Sequence, residues 1–169
     1  KIMGIRRYTA DKDNTITNAF ERNLNTRGTG SNMGASDILE VFSIYGQTFN
    51  SSSTEGIIRT QELSRVLVQF PIEDIISDRA AGDIPASGSV DFYICLYNAK
   101  HAETVPKNVT FRVVPVSSSW QEGFGLDMEN YQDLTYNGEG SNWIKRSAGN
   151  SWNTVGGTFL TASGGNDYG

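Results

Sequence analysis

Hydrophobic residues recur at every second position along much of this chain, which is the spacing of a β-strand with one covered face rather than that of a helix. In "SVDFYICLYN", Val90, Phe92, Ile94 and Leu96 fall on one side, and Asp91, Tyr93, Cys95 and Tyr97 on the other. "SDILEVFSIYG" gives Ile38, Phe42 and Ile44 a common face, "LSRVLVQFP" does so for Val66, Val68 and Phe70, and "NVTFRVVPV" for Val109, Phe111 and Val113. Weaker strand patterns run over 2–9, 14–19 and 141–144. The expected core is Val66, Val68, Phe70, Phe92, Ile94, Leu96, Phe111 and Val113.

Between these runs, "NTRGTGSNMGAS", "GQTFNSSSTEG", "AAGDIPASGS" and "YNGEG" gather the residues that turns require. Two short helical turns are predicted: "PIEDIIS", with Pro71 at its first position, and "LDMENYQ", behind Asp127 as its cap. Six or seven short strands without a long helix specify an all-β chain, an antiparallel sandwich or barrel, in one domain over 1–169. Ten of the 18 glycines lie after Trp120. The tail 117–169 therefore reads as loop-rich, with the last edge of the sheet missing or completed by a partner. The start at Lys1 and the stop in "ASGGNDYG" are read as those of a processed chain or of the N-terminal part of a longer one.

Composition narrows the functional classes. A hydrophobic share of 37% and a charged share of 20% remove the chain from the disordered class. Net charge is −5, with 9 basic and 10 acidic residues in 1–80 and 5 basic and 9 acidic in the rest, so no basic stripe invites nucleic acid. No apolar run reaches the roughly 20 residues of a membrane span, and no membrane partner is expected. Cys95, the only cysteine, excludes an internal disulfide and a multi-cysteine zinc site, and reads as a small buried hydrophobe.

Catalytic signals are weak. His101, the only histidine, lies in the polar stretch "NAKHAETVPKN", and no nucleophile-elbow, P-loop, HExxH or EF-hand pattern is present. Glu122, Asp127, Glu129, Asp133 and Glu139 could supply the two carboxylates of a glycosidase, but acids in a Gly- and Asn-rich loop more often face water or cap turns. No cofactor is expected. Calcium is a weak candidate at Asp11 and Asp13 or around 127–129, without a spacing that specifies it. Sugar binding would use exposed rings: Trp120, Trp143 and Trp152 with Tyr131 and Tyr136 could form a platform or could cover the end of the sandwich. "NSS" at Asn50 and "NVT" at Asn108 match glycosylation acceptors that matter only in a secretory setting.

Several segments, in order, resemble the DNRLRE-type β-sandwich family of bacterial and archaeal surface proteins. They are "TADKDNTI", "SNMGASDILEV", "SRVLVQF", "PIEDI", "VDFYICLYNA", "FRVVPVSSSWQEG" and "SWNTVGGTFL", spanning about residues 8–160. The resemblance implies a jelly-roll-like sandwich, with Trp120 under the loop, Trp152 beside it and Glu122 bonded to backbone or to an arginine. It also implies further strands after Phe159, which this sequence lacks. "DNTITNAFERNLNTRGTGSNMGASDILEVFSIYG" and "GLDMENYQDLTYNGEGSNW" are similar to uncharacterised virion proteins of tailed phages.

The expected function is accordingly that of a non-enzymatic structural subunit of a virion or surface assembly, such as a capsid decoration, neck or tail-fibre component. Its partners would be other assembly proteins and further copies of itself, and its location the virion. The alternative is an extracellular or cell-surface carbohydrate-binding module that holds host or matrix polysaccharide with Trp143, Tyr136 and Tyr131.

Overall fold

The computed structural model describes residues 4–49, 57–85, 88–100, 108–126, 131 and 139–160. Among them are five strands and one helix: β1 (Lys12–Thr17), β2 (Ser43–Phe49), β3 (Ile57–Gln69), α1 (Ile72–Ala81), β4 (Lys145–Ser147) and β5 (Asn150–Ser151). All strand pairing among the described residues is antiparallel, so their fold is all-β with one short helix.

β3 organises the larger sheet, whose order is β1-β3-β2. Its 13 residues are rich in Ile, Val and Thr and free of Gly and Pro, which suits an extended pleat. The second half pairs with β1, from Thr17 opposite Ser64 to Lys12 opposite Gln69. The first half pairs with β2, from Ser43 opposite Leu63 to Phe49 opposite Ile57. Pro71 then removes a ladder donor and starts α1, with Glu73 and Asp74 in the first turn and Arg79 in the last, as the helix dipole favours. Gly82, at φ +82°, closes the helix in the left-handed conformation, donating its N–H to the Arg79 carbonyl. The helix is ten residues long, more than the short turn that its sequence predicts. No residue of it is buried. It is tethered by Arg6, which pairs with Asp78 at 3.3 Å and with Asp83, and by the Tyr8 hydroxyl, which donates to Asp78 at 2.6 Å.

The core lies between the β1/β3 ladder and the glycine-rich tail. Ile16 and Leu67 meet Trp120, Trp143 and Trp152, with Leu63 and Val116 partly buried around them. The tail read as loop-rich therefore supplies three of the five buried residues of this cluster. Leu63 and Leu67 face the tryptophans, so strand alternation turns Val66 and Val68 to the opposite side, where they and Phe70 are only half-buried. There the chain at 40–42 covers the sheet. The Glu40 N–H donates to Thr15 Oγ1, the Phe42 N–H donates to Ser64 Oγ, and Ser64 Oγ donates to the Glu40 carbonyl.

The rest of the expected core is exposed. Residues 90–100 and 109–115 form neither strand nor helix, and Phe92 (62% exposed), Ile94, Leu96, Phe111 and Val113 all face solvent. Cys95 is likewise exposed rather than buried. Alternation shows that a face is suited to cover; it does not supply the cover. Phe92→Ala should accordingly cost the dilute chain less than about 1 kcal/mol in urea unfolding, where a core phenylalanine would cost about 3–5 kcal/mol. At 141–144 the expected strand is a turn, because Asn142 Oδ1 accepts the N–H groups of Ile144 and Lys145 at 2.8 and 2.7 Å and so starts the β4-β5 hairpin.

Candidate functional site

The best-ordered polar arrangement is a buried clasp made by a tripeptide that occurs twice, Gly-Ser-Asn at 30–32 and at 140–142. Asn32 uses its whole amide: Nδ2 donates to the carbonyls of Glu122 (2.6 Å) and Ser141 (2.8 Å), while Oδ1 accepts from the N–H groups of Gly34 (3.2 Å) and Gly125 (2.9 Å). Asn14, in the middle of β1, donates to the Ser141 carbonyl and hydroxyl and accepts the Met33 N–H. A Cβ on Gly125 would overlap the Asn32 carbonyl, which is why the two loops can close only around glycine. Asn14, Asn32 and Ser141 are all completely buried. With every polar atom of the two amides directed at backbone or hydroxyl, the two asparagines fix the geometry of the clasp.

Beside it, the Trp152 indole N–H donates to the Asn142 carbonyl at 2.8 Å. The Arg65 guanidinium stands 5.1 Å from the centre of the Trp143 ring and donates to the Gly156 carbonyl at 2.5 Å. Trp143 is only 7% exposed, which corrects its expected place at the centre of a sugar platform: the ring is a floor for Ile16 and Leu67. Trp120 and Trp152 are buried with it. Tyr131 is half-buried, held at φ +54° with its ring 6.2 Å from that of Phe42. Tyr136 lies outside the described residues, as do His101, Asn50, Asp127, Glu129 and Asp133. Among the described residues, no three His, Cys, Asp or Glu side chains gather as a metal site.

Two carboxyls carry a cost. Glu122 Oε1 accepts the Asp13 N–H at 2.9 Å, and burial together with the negative field of Glu122 raises the Asp13 carboxyl above its ordinary value. Burial alone raises Glu40. A carboxyl raised in the folded state binds its proton more tightly there than in the unfolded chain. Its charged form therefore weakens the fold above the folded pKa, and the penalty fades as pH falls toward about 4. Asp13→Asn should melt higher than the parent at pH 7, and the gap should close on acidification, as followed by thermal unfolding at several pH values.

The surface that remains unexplained by packing is apolar. Phe92, Ile94, Leu96, Val109, Phe111 and Val113 are each about half exposed or more, and Tyr93 and Tyr97 more than four-fifths. β2 adds a sheet edge with no strand beside it among the described residues. Its sequence, "SIYGQTF", has no charge and no proline, the usual guards of an edge, and both Ile44 and Tyr45 are exposed. The run at 90–97 has the alternation of a strand in sequence but is an exposed, irregular stretch in the structure. The Gly-Ser-Asn repeat was the available signal for the clasp.

Searches with the chain find no matching family profile, no matching curated protein and no matching solved structure.

Proposed function

We propose that this chain is a non-enzymatic structural subunit that works by protein-protein contact in a multi-copy virion or surface assembly. The observation that carries this reading is the exposure of Phe92, Ile94, Leu96, Phe111 and Val113 on two strand-patterned stretches, apolar side chains that a soluble chain ordinarily buries or uses for contact. Docking would add strands to the β1-β3-β2 sheet and so help to complete a jelly-roll-like sandwich. The rigid clasp and tryptophan core then serve as the frame that presents these stretches. The acidic balance disfavours nucleic acid as the partner. Placement in a virion rests only on the resemblance expected for the two quoted segments. Polysaccharide binding is the lesser reading, because Trp143 is in the core and Tyr131 is the one named platform residue left with any exposure among those described.

An antibody raised against the chain should decorate phage heads, necks or fibres at regular positions in electron micrographs. Purified particles that lack the protein in their proteome and show no label, before or after mild dissociation, would remove the virion role.

A further inference from the structure

We propose that the partner of the exposed stretch 90–97 is the outer edge of β2 in a second copy of the same chain, so that copies are joined by strand exchange. The inference rests on the assembly reading above and adds to it the partner and the docking site.

The two elements are complementary. β2 offers seven residues of an edge with no strand beside it among the described residues, and 90–97 offers eight residues with the alternation of a strand, Val90, Phe92, Ile94 and Leu96 against Tyr93, Cys95 and Tyr97. An extended peptide added to such an edge gains a ladder of main-chain hydrogen bonds, and its alternate side chains cover the sheet faces. Ile44 and Tyr45 are neighbours in β2 and point to opposite faces, yet both are exposed, so the sheet lacks cover on both sides at this edge. The added strand would bring an apolar face to one side and tyrosines to the other. Charge favours the match as well: although the chain carries −5 overall, Asp91 is the only charged residue in the two elements combined. Because both elements lie on every copy, each chain can donate one strand and receive another, which closes a symmetric dimer or a ring.

The area suffices. At their observed exposures Ile44, Phe92, Ile94 and Leu96 leave roughly 100 Å² each and Tyr45, Tyr93 and Tyr97 roughly 200 Å² each, so a copy that both donates and receives a strand offers roughly 1,000 Å² on the two elements, against about 800 Å² per partner in a stable complex.

Analytical ultracentrifugation of the purified chain over a hundredfold concentration range tests this, together with maleimide labelling of Cys95, which the single chain exposes. The expected result is a concentration-dependent oligomer in which Cys95 labelling slows as the oligomer forms. Tyr45→Lys and Ile94→Lys, both at exposed positions, should each weaken association at least about tenfold while circular dichroism stays unchanged. A mixture of the two variants should recover part of the association, since the intact edge of one can receive the intact strand of the other. A monomer with Cys95 protected would mean that the strand closes on its own sheet, and a monomer with Cys95 reactive would mean that copies do not exchange strands. Either overturns the proposal, while particle labelling still tests the assembly role. An oligomer unaffected by Tyr45→Lys would keep self-association and overturn β2 as its site.

Discussion

Asn32→Ala should lower stability by about 4 kcal/mol or more, read as a shift of the urea midpoint at unchanged slope. The side chain is completely buried and makes four hydrogen bonds, two to carbonyls and two from backbone N–H groups. Truncation would leave the Glu122 carbonyl and the Gly34 and Gly125 N–H groups without this partner, while the Ser141 carbonyl keeps its bond from Asn14, and each unsatisfied buried group costs about 1–3 kcal/mol. Water could enter the gap and recover part of this, which sets the lower figure rather than the sum. Since whole domains are stable by only about 5–15 kcal/mol, the variant should be near its unfolding threshold at body temperature. Asn32→Asp is the sharper comparison, because it keeps the volume and turns the donor pair into an acceptor facing two carbonyl oxygens. It should be at least as damaging at pH 7. A loss under about 1 kcal/mol in either variant would mean that the clasp is solvated.

Trp143→Ala should cost about 3–5 kcal/mol, or roughly 10 °C in melting temperature for a chain of this length. The ring is covered by Ile16, Leu67 and the other two tryptophans, and the Arg65 guanidinium lies over it. Removing it opens a cavity that Gly156, packed against the indole, cannot fill. Trp143→Phe should recover part of the loss, since it restores apolar volume. An unchanged melting temperature combined with lost affinity for a polysaccharide would instead place the ring on the surface and revive the sugar-binding alternative.

How much of this was legible depended on whether the information was local. The strand at β3 could be read because Val66, Leu67 and Val68 sit in a β-branched run ended by Pro71. Its buried face could not, because both faces are apolar and the choice between Leu67 and Val68 is made by tryptophans about fifty residues or more away. β1 was nearly invisible to hydrophobic periodicity: Asn14, Thr15 and Thr17 are polar and completely buried, satisfied by partners that only the folded chain provides. Asn32 and Asn142 lie in Gly-Ser contexts that normally signal a turn, and Asn142 does make one, while Asn32 is a buried crosspiece. For 90–97 neither the expected strand nor the expected burial is present in the single chain, since alternation encodes a strand's need for a neighbour without naming it.

The bond between Asn14 and Ser141 joins positions 127 residues apart, and the floor of the core comes from the last third of the described chain. Such a topology sets the order of events during synthesis. While the ribosome is still making the middle of the protein, β1 and β3 can pair, but Ile16, Leu67 and the buried asparagines have nothing to rest on. Folding must therefore wait for the three tryptophans to emerge, and contacts of this sequence separation form slowly. Through that interval the uncharged edge of β2 is open to any neighbouring chain, so crowded polysomes would be the place where the protein is most prone to aggregate.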